Sequence, residues 1–176
     1  MGSRKMNEWY KEDLAFIHDV GFSDWALKSA PGILEILNFS EIREGLIVEL
    51  GCGSGLSAQE FRKAHYKVLG IDISESMIEI ARTRVPDAEF RVESLFKADI
   101  PSCNAVISLS ECLNYLFDSD NNSQTLVEFF YRIYNAMNYP PLLRPWAGFY
   151  IPPSKSRFLT LRASQLLHTS SFFAGG

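Results

Sequence analysis

Cysteine is scarce in this sequence of 176 residues. The three cysteines, Cys52, Cys103 and Cys112, are odd in number and show no CxxC spacing. Disulfide frameworks and structural zinc sites need paired or closely spaced cysteines, so this pattern argues against both. The sequence therefore predicts no metal site and a reducing, cytoplasmic setting.

Long apolar runs and an excess of basic charge are also missing. No stretch approaches the roughly 20 apolar residues that span a bilayer, and the opening MGSRKMNEWY has no apolar segment of the signal-peptide type. The formal net charge is -4, whereas general nucleic-acid binders neutralise phosphates with lysine and arginine. We expect one globular domain that engages neither membranes nor nucleic acid.

Four short apolar runs of strand length follow residue 45. They are LIVEL at 46–50, KVLGI at 67–71, AEFRV at 88–92 and AVISL at 105–109. Segments with apolar residues at helical spacing separate or follow them, with Ser74 and Ser123 as predicted caps for two of these helices. Strands alternating with helices predict parallel strands joined by right-handed crossovers, which form an open α/β sheet.

The two ends of the chain differ from this central core, which we assign to residues 45–138. Residues 1–44 are predicted to form a helical segment of two helices, the first ended by Gly21 and the second with Pro31 in its first turn. Residues 139–176 form an atypical Pro/Ser-rich basic tail without Asp or Glu. Only residues 148–151 there resemble a strand, so we expect the sheet to be incomplete in its C-terminal half.

A glycine-rich turn follows the first predicted strand directly. Gly51, Gly53 and Gly55 permit unusual backbone dihedral angles and close approach of a ligand to the backbone. Such a turn places backbone N–H groups and a helix N-terminus at the carboxyl edge of the sheet, where ligands bind in open α/β folds. Gly53, Gly55 and Ala58 also satisfy the dinucleotide spacing GxGxxA, so the glycines alone do not choose the ligand.

Two carboxylates narrow the choice of ligand. Glu49 lies in the first strand, where burial is unfavourable unless hydrogen bonds or a cation compensate the charge. Asp72 ends the second strand, where a carboxylate can accept hydrogen bonds from both hydroxyls of a ribose. An adenosine joined to an amino acid satisfies both, and that ligand is S-adenosylmethionine. The alternatives are that Glu49 only ties the loop together and that Asp72 is an ordinary turn residue.

The run VELGCGSGLSAQEFRKAHYKVLGIDISESMIEIAR, residues 48–82, resembles the motif I to motif II region of class I S-adenosylmethionine-dependent methyltransferases. The resemblance extends to about residue 115 and implies a Rossmann-like open parallel sheet with helices on both faces. It also implies that Glu49 orders the loop or faces the methionine amino group, while Asp72 holds the ribose. The matching donor-site residues are Glu49, Gly51, Gly53, Gly55, Asp72, Ile73, Ser94, Leu95 and Ser110.

The remaining assignments also come from the resemblance. Ile73 and Leu95 would enclose the two faces of the adenine, and Ser94 stands where the family often has an aspartate that contacts the adenine amino group. Ser110 would supply backbone near the methyl donor. Glu111 is a candidate base by location only, and no side chain is assigned as catalytic.

The resulting hypothesis is a methyltransferase that acts on an unidentified small-molecule acceptor. One alternative is a non-catalytic binding module with a truncated methyltransferase-like fold. A nicotinamide-dependent oxidoreductase is a second alternative, which the GxGxxA spacing favours and Glu49 disfavours. His18, His65 and His168 lie far apart in the chain and are interpreted as surface or packing residues.

Overall fold

A computed structural model describes residues 12–109, 112–114, 118, 120–137 and 159–160. Its helices are α1 (Glu12–Phe39), α2 (Leu56–Lys63), α3 (Glu75–Arg84) and α4 (Ser123–Ala136), with a 3-10 turn at Cys112–Asn114. Its strands are β1 (Leu46–Leu50), β2 (Lys67–Asp72), β3 (Glu89–Val92), β4 (Ala105–Ser108) and β5 (Leu159–Thr160). The four predicted strands are therefore confirmed, each within one residue at either end.

The strands form one parallel sheet in the order β3-β2-β1-β4-β5. From β1 the chain proceeds outward through β2 and β3, and it then returns to the other side of β1 as β4. The strand order therefore reverses between β1 and β4, and in open α/β sheets ligands bind at the carboxyl ends of the strands at such a position. The central position of β1 explains why its apolar residues are buried from both faces, with Ile47, Val48 and Leu50 fully inaccessible.

Helices cover both faces of this sheet, as predicted. The core on one face combines side chains of α1, α2 and α3, such as Ile33, Phe61 and Ile78, with alternate strand residues. The core on the other face includes Phe129 and Ile133 of α4. This three-layer arrangement is a Rossmann-like α/β fold.

The prediction of two N-terminal helices was wrong, because α1 runs without a break from Glu12 to Phe39 through both Gly21 and Pro31. Both residues lie on the exposed side of the helix, while Ala30, Ile33 and Leu37 are buried in the core of the sheet. Proline in a helix interior costs about 3 kcal/mol relative to alanine. Burial of the apolar stripe offsets that cost, so tertiary packing overrides the local signals.

The predicted N-cap residue is confirmed for α3 but not for α4. Ser74 caps α3 and accepts a hydrogen bond of 3.3 Å from the Met77 backbone N–H. The predicted cap of α4 is displaced by one residue, since Asn122 accepts from the Gln124 and Thr125 N–H groups. Asparagine is at least as good an N-cap as serine, so this sequence offered two adjacent candidates.

The β4 edge carries a short strand that the sequence pattern did not predict. Leu159 and Thr160 pair in parallel with Ile107 and Ser108 of β4. The strand-like residues 148–151 lie outside the described residues. The N-terminal segment packs into the same core as β1, and the boundaries at residues 44 and 138 stay predictions. Within the described part of the chain, no helix is long and apolar enough to cross a bilayer.

Candidate functional site

The glycine loop between β1 and α2 is tied to the end of β2 by its backbone. The Gly51 and Cys52 N–H groups both donate to the Ile71 carbonyl oxygen, at 2.7 and 3.1 Å. Gly51, Gly53 and Gly55 have φ angles of 74°, 52° and 77°. These left-handed conformations are unfavourable for residues with a Cβ atom, which explains the repeated glycine. The loop therefore turns sharply at the carboxyl edge of the sheet.

The three glycines differ in what surrounds them. A Cβ atom on Gly51 would lie 2.2 Å from the Cys112 Sγ atom, and one on Gly55 would lie 3.0 Å from the Ala81 Cβ atom. A Cβ atom on Gly53 would meet no atom of the described residues within 4 Å. Gly51 and Gly55 are thus required by packing inside the protein. Gly53 is the position where the loop backbone faces open space that a ligand can enter.

Asp72 connects this loop to the start of α3. Its Oδ2 atom accepts a hydrogen bond of 2.8 Å from the Gly53 N–H, and its Oδ1 atom accepts one of 2.9 Å from the Ser74 N–H. Burial raises the pKa of Asp72, while the hydrogen bonds from Ser74 and Gly53 oppose that rise. The side chain is half-buried. Each carboxylate oxygen retains acceptor capacity, so the group can still receive hydroxyl donors from a ligand.

Glu49 is almost completely buried, with 1% of its surface exposed. The Ser57 hydroxyl of α2 donates to its Oε1 atom, and no group among the described residues donates to its Oε2 atom. Burial raises the pKa of Glu49 to about 8, the Ser57 hydrogen bond opposes the rise, and the charge of Asp72 adds to it. An unsatisfied buried acceptor of this kind fits a cationic ligand group, because a cation would favour the ionised carboxylate.

The pKa of Glu49 predicts a measurable dependence of stability on pH. The folded chain keeps this proton up to about pH 8, whereas the ordinary pKa is 4.5. Between those values the folded state binds more protons than the unfolded state, so stability falls as the pH rises. Glu49→Gln stays neutral and can still accept from Ser57. In thermal unfolding scans without ligand, we expect its melting temperature to exceed that of the wild type near pH 8.5 by several degrees.

The control for this experiment is Glu79→Gln, which changes an exposed glutamate on α3 and should leave the pH profile unchanged. Each pKa unit corresponds to about 1.4 kcal/mol, and the difference between wild type and Glu49→Gln should vanish near pH 4. If the melting temperatures of wild type and Glu49→Gln changed in parallel from pH 4 to pH 8.5, this result would contradict the raised pKa.

The residues predicted for the adenine end lie in different surroundings. Ile73 is half-buried and follows Asp72. Leu95 is 9% exposed and belongs to the core on the α4 face of the sheet. Ser94 is buried, donates to the Asp118 Oδ2 atom at 2.6 Å and accepts from the Phe96 N–H. Their contacts with an adenine stay predictions.

Ser110 and Glu111 lie outside the described residues. The sequence reasoning missed Asp118, a buried carboxylate that lies 24 positions after its partner Ser94. No local pattern links the two positions, so the sequence alone contained no signal for this contact.

The sequence reasoning also missed the approach of α1 to the loop. Asp19 accepts a hydrogen bond from the Ser54 hydroxyl, at the centre of the glycine turn. His18 lies within the electrostatic influence of Asp72: burial lowers the pKa of His18, and the charges of Asp72 and Asp19 oppose that change. His18 is half-buried on α1, and its interpretation as a packing or surface residue stays a prediction.

Metal-ligand clusters are not found among the described residues. Cys52, Cys103 and Cys112 are all free thiols. Burial raises the pKa of Cys103 to about 11 and that of Cys112 to about 12, so neither is a thiolate near neutral pH.

A glycine turn that joins β1 to a carboxylate at the end of β2 is typical of nucleoside-binding α/β domains. Residues 47–134, half of the chain, match the family model described as a methyltransferase domain. The chain therefore belongs to the methyltransferase domain family, and the resemblance seen in the sequence is confirmed.

Two curated relatives share less than a third of their residues with this chain over the matched regions. The chain is 27% identical over 95 residues to dTDP-4-amino-2,3,4,6-tetradeoxy-D-glucose N,N-dimethyltransferase of Saccharopolyspora spinosa, covering 52% of this chain and 38% of that protein. It is 29% identical over 118 residues to a probable 18S rRNA (guanine-N(7))-methyltransferase of Dictyostelium discoideum, covering 62% of this chain and 41% of that protein. The chain thus spans about two fifths of the length of these curated relatives.

The fold also matches solved structures. Magnesium protoporphyrin IX methyltransferase from Synechocystis, solved with bound S-adenosylmethionine, superimposes with a TM-score of 0.53 at 17% identity. The match covers 77% of this chain and 64% of that chain. At this identity the likeness supports the fold, and it agrees with the Rossmann-like sheet described above.

Proposed function

We propose that this chain binds S-adenosylmethionine at the carboxyl edge of β1 and β2 and transfers its methyl group to a small-molecule acceptor. The observation that carries the proposal is the pair of carboxylates on neighbouring strands, Glu49 with its unsatisfied Oε2 atom and Asp72 bound to the N–H of Gly53, the loop residue that faces open space. Membership of the methyltransferase domain family supports it.

The residues present fit the parts of this ligand. The unsatisfied Oε2 atom of Glu49 suits an ammonium group, and ionisation of Glu49 would follow from the approach of that cation. Asp72 has acceptor capacity left for ribose hydroxyls while it holds Gly53 in place. The missing side chain at Gly53 allows the ligand to approach the backbone.

The protein's part in the reaction would be positional. S-adenosylmethionine, when bound, supplies a methyl group already activated by the adjacent sulfonium charge. The chain has to hold the donor by its two ends, align the acceptor atom with the bond that breaks and exclude water. Glu49 and Asp72, on neighbouring strands, would hold those two ends, so the reacting centre would lie above the glycine loop.

Two features support a small-molecule acceptor. One curated relative is named as a sugar N,N-dimethyltransferase, and the net charge of -4 is unfavourable for general binding to nucleic acid. Other relatives are named as rRNA methyltransferases, so ribosomal RNA belongs in any acceptor screen as the competing class. A cytoplasmic location stays a prediction, supported by the three free cysteines.

Isothermal titration calorimetry with four ligands tests the donor site. We expect saturable binding of S-adenosylmethionine and S-adenosylhomocysteine and no binding of NAD⁺ or NADP⁺. Tight binding of a dinucleotide would contradict the proposal and favour the oxidoreductase alternative. Binding of the first two ligands without methyl transfer to any of a panel of amino sugars, phenols and rRNA would favour the non-catalytic module.

A further inference from the structure

An ion pair links the N-terminal helix to the glycine loop and to α3. The Asp19 Oδ2 atom lies 2.8 Å from the Nη2 atom of Arg84, which is the last residue of α3. The Ser54 hydroxyl donates to the Asp19 Oδ1 atom, and the Arg84 Nη1 atom donates to the Ser54 carbonyl oxygen. These three residues form a closed ring of interactions, which we call the Asp19–Ser54–Arg84 clamp.

The clamp is less exposed to solvent than an ordinary surface ion pair. The side chains of Arg84 and Asp19 are 20% and 16% exposed, whereas those of the Arg62–Asp87 pair are 25% and 60% exposed. Burial would raise the pKa of Asp19, but the hydrogen bonds from Arg84 and Ser54 outweigh it and lower that pKa. Partial burial weakens solvent screening, so the clamp is expected to contribute more than a median surface pair.

The clamp acts on the residue that follows Gly53. Asp72 holds the Gly53 N–H on one side, and the clamp holds both the hydroxyl and the carbonyl oxygen of Ser54 on the other. Gly53 and Gly55, on either side of Ser54, have left-handed conformations. Fixing the backbone of one residue has a cost in conformational entropy. A loop that is already fixed does not incur this cost when a ligand binds.

The position of α1 supports the same conclusion. His18, next to Asp19 in the helix, lies under the electrostatic influence of Asp72. The N-terminal half of α1 therefore reaches the glycine loop, which it contacts through Asp19. Arg84 comes from the far end of α3, 65 positions after Asp19, so the clamp joins three separate elements at one edge of the glycine turn.

We propose that Asp19 and Arg84 are positioning residues for the methyl donor: they hold Ser54, and with it the glycine loop, in the conformation that binds the donor. The inference rests on the proposed donor site and deepens it, because it makes the N-terminal helix part of the binding apparatus. Neither residue needs to touch the donor.

Titration calorimetry with S-adenosylhomocysteine tests the clamp in a double-mutant cycle of Asp19→Asn, Arg84→Met and the double variant. We expect each single variant to raise the Kd about 5–10-fold, because the backbone of Ser54 would then have to be fixed when the ligand binds. The double variant should lose little more, because either change breaks the ring. Asp87→Asn removes one partner of the Arg62 ion pair beside the start of β3 and should change the Kd less than 2-fold.

Thermal unfolding of the same variants separates positioning from general stability. We expect Asp19→Asn and Asp87→Asn to remain folded at the titration temperature. The clamp is refuted if the wild type binds S-adenosylhomocysteine and both single variants match Asp87→Asn, or if the losses simply add in the double variant. Failure of the wild type to bind would refute the donor site as well, so the two results are distinguishable.

Discussion

Replacement of Asp72 by alanine is expected to weaken binding of S-adenosylmethionine by about 100-fold. In the proposed site the carboxylate accepts hydrogen bonds from the ribose hydroxyls, and it also holds the Gly53 N–H at 2.8 Å. Hydrogen bonds to charged groups contribute about 1.5–3 kcal/mol each, and about 2.7 kcal/mol corresponds to 100-fold in Kd. Titration calorimetry at neutral pH measures the effect directly.

Asp72 also has a structural task, because it accepts from the Ser74 N–H at the start of α3. Asp72→Asn keeps the size of the side chain and one of the two acceptor oxygens, so it disturbs the fold less than Asp72→Ala does. We expect Asp72→Asn to melt within a few degrees of the wild type and still lose most of the affinity. Binding by Asp72→Asn and Asp72→Ala as tight as that of the wild type would show that the ribose is not held at this strand end.

Gly55→Ala is expected to affect mainly stability and Gly53→Ala mainly donor binding, although both residues have positive φ angles. A methyl group on Gly55 would meet the Ala81 backbone at 3.2 Å, so strain and overpacking together should lower stability by about 2–4 kcal/mol. This corresponds to a fall in melting temperature of roughly 5–15 °C. A methyl group on Gly53 would enter open space and carries only the left-handed strain of about 1–2 kcal/mol.

The two variants should differ in the reverse order in their affinity for the donor. Gly53→Ala should be the more stable variant and the weaker binder. Gly53→Ala places a methyl group where the ligand approaches the loop, and we expect its Kd for S-adenosylmethionine to rise at least about 10-fold. Gly55→Ala, measured at a temperature where it is folded, should bind with a smaller change. Full affinity in Gly53→Ala would mean that the open space beside Gly53 is not the donor site.

Much of the fold could be predicted because its signals are local. Residues 46–50 form a continuous apolar run of strand length, and the structure places β1 at those positions. The glycine turn and its two flanking carboxylates could be recognised from spacing alone, because unusual dihedrals and buried charges restrict which residue types are allowed. The methyltransferase family, confirmed by the match over residues 47–134, was inferred from the same short region.

The errors arose where local preference and tertiary packing disagree. Gly21 and Pro31 are helix-breaking residues by themselves, yet α1 continues through both. The helix buries Ala30, Ile33 and Leu37 against the sheet, and that energy depends on residues distant in sequence. The cap of α4 at Asn122 instead of Ser123 is a smaller error of the same origin, since two adjacent residues had similar local preference.

The sequence by itself determined the alternation of β1 to β4 with their helices, the glycine turn and the positions of Glu49 and Asp72, because each of these follows from periodicity or from a restriction on one residue. Only the tertiary structure decided that Gly53 alone of the loop glycines faces open space, and that Asp19 reaches Ser54 and Arg84. Asp19 lies 35 positions before Ser54 and 65 positions before Arg84. Contacts over such distances in sequence depend on how the layers of the fold pack. No local pattern encodes that packing.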